Sequence, residues 1–254
     1  MKILITGSSE GIGLEVAKVL ATKGNQVTLV ARNKEKLEKA LVTLSGSGHT
    51  FLVKDLSQKQ DVDSLKDSIT SEKYDVFINN AGVGMYGAFT EMQLSDQVNM
   101  MNLNMTALTV LSYFYLNQAK KGDVLLNIAS TLGSTSFPGS AVYAGTKAYV
   151  TILSESLWCE YRKRGIYVAA FCPGVTATGF HDKSGGDKDS FPSFITQTPE
   201  EVAIEVVRAL EKRSLPRIVS GFMNRAMLAF YRLLSTKAIV SMMAGFSPIK
   251  GQIN

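Results

Sequence analysis

The sequence predicts an α/β fold: a doubly wound parallel sheet of about seven strands, in a single domain with a C-terminal helical extension. Two observations carry this. Short apolar runs rich in Val, Ile and Phe alternate with longer stretches of helical period. The runs are apolar at nearly every position rather than at every second one, which means burial on both faces. Strand–helix alternation of that kind joins parallel strands through right-handed crossovers. At 254 residues, 45% of them hydrophobic and 19% charged, the composition is globular and excludes a disordered chain. A chain this long buries roughly 70–75% of its unfolded surface.

The strands are expected at Lys2–Thr6, Gln26–Ala31, Thr50–Lys54, Asp75–Asn79, Asp123–Ile128, Ile166–Phe171 and Arg217–Ser220. The helices are expected at Ile12–Lys23, Lys34–Leu44, Gln58–Thr70, Leu94–Gln118, Ala141–Arg164 and Pro199–Lys212. Val175–Thr198 has no element and holds several Gly and Asp, so it reads as a mobile loop, of a length that is usually functional or disordered. Residues 1–216 form the expected catalytic domain, and 217–254 the last strand plus a basic, amphipathic extension.

Two cysteines exclude a disulfide scaffold and a four-thiolate zinc site; Cys159 and Cys172 read as small core residues. His49 and His181 have no ligand partners at metal spacing, so no metal is expected. The opening run is too short for a leader, and no stretch reaches about 18 apolar residues, so a cytoplasmic protein without a spanning helix is expected. The net charge is +5, yet residue 212 onward carries seven bases and no acid, which leaves the first 211 residues at −2. An ordinary body with a basic tail argues against a nucleic-acid-binding protein.

The first strand ends in a turn, Thr6–Gly13, whose Gly7, Gly11 and Gly13 let the backbone bend sharply and approach a diphosphate. Ser9, Glu10 and Ile12 complete it, and the following helix offers unpaired N–H groups and the positive end of its dipole. The spacing is not G-x-G-x-x-G, so the pattern gains its meaning from lying between a strand and a helix. The second strand ends at Ala31 with Arg32 next. A carboxylate there would accept from the ribose 2′-hydroxyl of NAD; a guanidinium instead pairs with a 2′-phosphate. NADP(H) is therefore the expected cofactor, with NAD(H) the lesser alternative.

Tyr143 and Lys147 stand four apart in an expected helix, on one face and one turn apart. A nearby ammonium stabilises phenolate, which would bring a phenol closer to neutrality as a general acid. Ser130 follows the fifth strand, where its hydroxyl could reach a carbonyl oxygen held against Tyr143.

Thr-Gly-x-x-x-Gly-x-Gly, Asn79-Asn80-Ala81-Gly82, Ser130, Tyr143-x-x-x-Lys147 and Pro173-Gly174 together resemble the short-chain dehydrogenase/reductase family, in its order and spacing from Thr6 to Thr178. The resemblance implies a Rossmann-type fold and an NADP-linked oxidoreductase acting on a carbonyl or secondary alcohol. It casts Tyr143 as proton donor and acceptor, Lys147 as its partner and the holder of the nicotinamide ribose, and Ser130 as the carbonyl-orienting hydroxyl. Asn104 resembles the helix asparagine that anchors a water relay to the lysine, with Asn102 as rival. Asp55 and Leu56 resemble the adenine-facing pair, although Asp55 could equally cap the next helix. Asn79, Ala81 and Gly82 are implied to close the fourth strand against the cofactor. Pro173, Gly174, Thr176 and Thr178 are implied to fix the carboxamide. The long helices Leu94–Gln118 and Ala141–Arg164 are implied to form a homodimer or homotetramer interface. The rival class is a catalytically silent NADP-binding sensor or scaffold.

Substrate choice is expected from Val83–Phe89 (with Met85, Tyr86 and Phe89), Thr131–Ser140 (with Leu132 and Phe137) and 175–198 (with Phe180, Phe191 and Phe194). These segments are apolar and aromatic with little fixed charge, which suits an apolar ketone or 3-oxoacyl chain. In Phe222–Leu234, Arg225, Ala229 and Arg232 share one stripe and Met223, Met227, Phe230, Leu233 and Leu234 another. The tail could dock peripherally on anionic lipid, at the inner membrane surface, or pack on the core or a subunit.

Overall fold

A computed structural model of the chain describes residues 1–179 and 195–247, with Ile249 and Gly251. The expectations for Phe180, Phe191 and Phe194 therefore lie outside the described residues. Seven strands form one sheet: β1 Lys2–Thr6, β2 Gln26–Ala31, β3 Thr50–Val53, β4 Val76–Asn79, β5 Val124–Ile128, β6 Tyr167–Cys172 and β7 Arg217–Val219. Their order is β3-β2-β1-β4-β5-β6-β7 and every pairing is parallel. Between them run α1 Gly11–Thr22, α2 Lys34–Leu41, α3 Lys59–Ser71, α4 Leu94–Met101, α5 Leu108–Gln118, α6 Ala141–Tyr161 and α7 Pro199–Lys212. Two tail helices follow, α8 Phe222–Tyr231 and α9 Thr236–Ala244.

Alternate residues of the central strands feed two cores. Ile3, Ile5, Val27 and Leu29 pack with α1 and α7 on one side of the sheet. Leu4, Phe77, Leu125 and Val168 pack with α3 and α5 on the other. Connections from β1 run toward β3 and those from β4 run toward β7, so the topology reverses between β1 and β4. A crevice opens there, at the carboxyl ends of the strands.

Three details differ from the sequence expectations. The span Leu94–Gln118 is interrupted by a π-helical turn, Asn102–Ala107. Helix α6 gives way to a 3-10 turn at Arg162–Arg164, which Gly165 ends in a left-handed conformation. Cys159 is exposed rather than part of the core; Cys172 is buried. As expected, the last strand joins the main sheet, paired with β6; α8 and α9 pack on Phe137 and Leu132 through Tyr231, Met243 and Met227.

Candidate active site

A cavity of about 970 Å³ occupies the crevice. One end is bordered by Gly7, Ser9, Glu10, Gly11, Ile12, Arg32, Asp55 and Leu56. Gly7 holds φ at 64°, and a Cβ there would stand 2.8 Å from the Ala81 Cα, so only glycine fits this bend. Helix α1 starts at Gly11 with no side chain capping it and no acid in its first turn. Its opening amides at Gly11 and Ile12 border the cavity, the arrangement that binds phosphate oxygens. Arg32 lies beyond the end of β2, exposed on the rim. Glu10, the one acid in the turn, is held by Lys36 at 2.6 Å. A dinucleotide carrying an extra phosphate fits these residues. Asp55 accepts from the Ser57 amide and hydroxyl at 3.1 and 2.8 Å, while Gln58 is the residue preceding α3. It thus forms a turn ahead of α3 and leaves its position on the cavity wall intact.

Ser130, Tyr143 and Lys147 converge in the middle of the cavity. Ser130 follows β5, and its Oγ accepts from the Leu132 amide at 3.1 Å and hydrogen-bonds Tyr143. Lys147 Nζ donates to the Ile128 carbonyl at 2.9 Å and lies 5.9 Å from the Tyr143 ring centroid. A Cβ on Gly133 would meet the Lys147 carbonyl oxygen at 2.6 Å, so this glycine lets the Ser130 turn press directly on the α6 backbone.

The electrostatics differ from the sequence expectation. Burial pushes the Tyr143 phenol well above its ordinary value, with Tyr86 adding to the rise and the Ser130 hydrogen bond opposing it. Burial also lowers Lys147 from 10.5 to about 8. Desolvation thus outweighs the expected acidification of the phenol and favours the neutral form of both groups.

Asn104 lies in the π-helical turn, buried behind the cavity wall rather than on it. Its Oδ1 accepts from the Val83 amide at 3.0 Å, and its Nδ2 donates to the Val83 carbonyl and to Thr146 Oγ1 at 2.9 and 3.1 Å. Thr146 in turn donates to the Tyr143 carbonyl at 2.8 Å. Asn104, and not the exposed Asn102, is therefore the residue joined to the Tyr143 helix.

Two further expectations need correcting. Asn79 does not reach the cavity: its amide donates to Ser112 and Asn127 within the core at 3.1 and 3.0 Å. Its neighbour Asn80, past the strand end, lines the cavity and bonds the Thr6 and Gly7 carbonyls. Gly13 is likewise not on the wall; it provides the close approach of α1 to Asn80. Ala81, Gly82, Pro173, Gly174, Thr176 and Thr178 do line the cavity. The 175–178 segment is pinned by backbone bonds to Gln197, Gln197 N to Val175 O and Ala177 N to Gln197 O, both at 2.9 Å.

The far end of the cavity is apolar. Leu132 and Tyr86 line it, and Tyr86 stands edge-on to buried Phe137 at 6.3 Å. Met85, Phe89 and Phe137 are not on the wall, so only part of the expected aromatic set faces the space. Among the described residues the tail adds Met223, Met227, Phe230, Tyr231, Met242, Met243 and Phe246. The sequence reading missed this role, although its methionine stripe was the available signal.

The family model for short chain dehydrogenases matches residues 1–189. A very-long-chain 3-oxoacyl-CoA reductase of Anas platyrhynchos is 28% identical over 252 residues, covering 94% of this chain and 78% of that one. A solved short-chain dehydrogenase from Sphingobium yanoikuyae in complex with NADPH superposes with a TM-score of 0.81 at 27% identity, covering 92% of this chain and 96% of the other. The bulky-bulky ketone specific alcohol dehydrogenase from Comamonas testosteroni does so with 0.77 at 26%, covering 91% and 92%. With the glycine bend, the Ser130–Tyr143–Lys147 group and the all-parallel sheet in place, the chain belongs to the short-chain dehydrogenase family of oxidoreductases.

Proposed function

We propose that the chain is an NADP(H)-dependent oxidoreductase that interconverts a bulky apolar carbonyl compound, a ketone or 3-oxoacyl chain, and its alcohol. The observation that carries the reading is one cavity that joins three things: a phosphate-ready turn with Arg32, the Ser130–Tyr143–Lys147 group, and a wall of methionine and aromatic side chains. The names of the duck and Comamonas relatives support the substrate class, and the NADPH-bound Sphingobium structure supports the cofactor.

Gly7, Gly11, Ile12 and Arg32 would hold the diphosphate and 2′-phosphate, and Pro173–Thr178 would orient the nicotinamide. When bound, the reduced nicotinamide supplies the hydride taken up by the carbonyl carbon. Tyr143 donates its phenolic proton to the carbonyl oxygen, and the Ser130 hydroxyl hydrogen-bonds the same oxygen as negative charge develops there. Burial keeps Tyr143 protonated and so ready to give. Lys147, when protonated, stabilises the phenolate that remains. Asn104 acts through Thr146 and Val83 by positioning α6 and the wall opposite it.

Tyr143→Phe tests the reading. With a panel of ketones, aldehydes and 3-oxoacyl thioesters followed by NADPH absorbance, turnover should fall about 10²–10⁴-fold while NADPH affinity is kept. Wild-type protein that binds NADPH yet oxidises none on any carbonyl would make it a sensor instead. We also assign a subunit face to α4 and α6, on the exposed side chains Leu94, Val98, Met101 and Ile152; light scattering of the purified chain tests it.

A further inference from the structure

We infer that the outer face of α8 and of the turn after it docks on an anionic lipid bilayer, beside the mouth of the cavity. Going round α8 at about 100° per residue, the side chains fall into ordered sectors. Arg225 and Arg232 form one edge. Phe222, Ala229 and Leu233 come next, with Phe222 73% and Leu233 82% exposed. Met223 and Phe230 follow, and both line the cavity while remaining about half in solvent. Buried Tyr231 closes the circuit on the core side. The cavity's apolar lining therefore emerges onto the surface, and bases flank it.

Charge decides the occupant. No acid follows Glu211 in the chain; of the two acids that border Phe222 and Met223, Glu205 meets Arg225 at 3.8 Å and Glu201 caps α7 with Thr198, while among the described residues Arg232 and Lys237 make no ion pair. A second copy seated on this face would bring no acid from its own tail to meet Arg232 and Lys237. An anionic bilayer meets both features: its headgroups attract the bases, and its acyl boundary accepts Phe222 and Leu233. An apolar carbonyl compound dissolved in the bilayer would then face the cavity mouth directly; that consequence rests on the proposed substrate class, whereas docking itself does not.

The test is co-sedimentation of the full-length chain with phosphatidylcholine vesicles, with and without phosphatidylglycerol. Binding to the mixed vesicles, weakened about five-fold for each base neutralised in Arg232→Gln and Lys237→Gln, is expected. Phe222→Ser with Leu233→Ser should abolish it. NADPH titration and circular dichroism of the same variants check that they fold, and they leave the proposed enzymology untouched. Failure of the wild type to sediment with anionic vesicles would overturn the inference. So would equal binding to neutral vesicles, or loss of an oligomer, rather than of vesicle binding, in the serine variant.

Discussion

Lys147 sits where an amine is poorly placed as a cation, buried beside Tyr143 on the cavity wall with its Nζ donating to the Ile128 carbonyl. Its folded value of about 8 lies below the ordinary 10.5, so below pH 8 the folded state carries the full cost of a buried charge. Between pH 8 and about 10.5 the unfolded chain binds the extra proton, and stability rises with pH. Lys147→Met should therefore raise the melting temperature at pH 7, by roughly 1–3 kcal/mol of stability. The advantage should shrink as pH climbs through that window; calorimetry of both proteins checks it. Arg32 makes a second residue-level prediction. Arg32→Asp should move the ratio of kcat/KM from NADPH toward NADH by at least ten-fold, since it replaces a pairing charge by a repelling one. That Tyr143, Lys147, Ser130 and Arg32 border one space was legible in sequence, because spacing and charge pick them out. Their electrostatics were not, because spacing says nothing of how far a phenol is removed from water. Asn79 and Asn80 show the same limit: adjacent, chemically identical residues point to opposite surroundings, and only the end of β4 decides which one meets the cavity.

At the scale of elements, the strands were readable almost to the residue, since both-face burial writes itself as continuous apolar runs. The π-helical turn in the α4–α5 span was not readable. An α- and a π-turn ask for the same residue types, and what sustains this one is a tertiary contact, the Asn104 amide clasping both backbone groups of Val83. Such turns recur at functional sites because the extra residue re-aims a side chain. Asn104→Ala removes the clasp and the Thr146 bond together. It should lower kcat about ten-fold or more with little change in NADPH affinity, and Asn104→Gln should restore little, because a longer arm cannot meet Val83 in the same register. Gly133→Ala tests the neighbouring contact. The added methyl must push the Ser130 turn off α6, and turnover should fall at least ten-fold, measured against an unchanged far-ultraviolet spectrum.

For the whole molecule, the tail is the largest difference between expectation and structure. An amphipathic helix announces that one face will be covered but not by what, and here the cover is shared between the core cluster and the cavity. Met227→Trp should narrow the apolar end and raise KM for bulky ketones several-fold while leaving small aldehydes nearly unaffected; steady-state kinetics on a size series reads this out.

Ser130, Tyr143 and Lys147 all precede residue 148, whereas the methionine and aromatic wall, among the described residues, comes largely from residue 223 onward. Under the proposed function, reaction and selectivity fall in separable stretches of the sequence. Changes confined to the closing stretch can retune which molecules are accepted while the bond-making apparatus stays as it is, a division that lets new substrate ranges arise without risking the old chemistry.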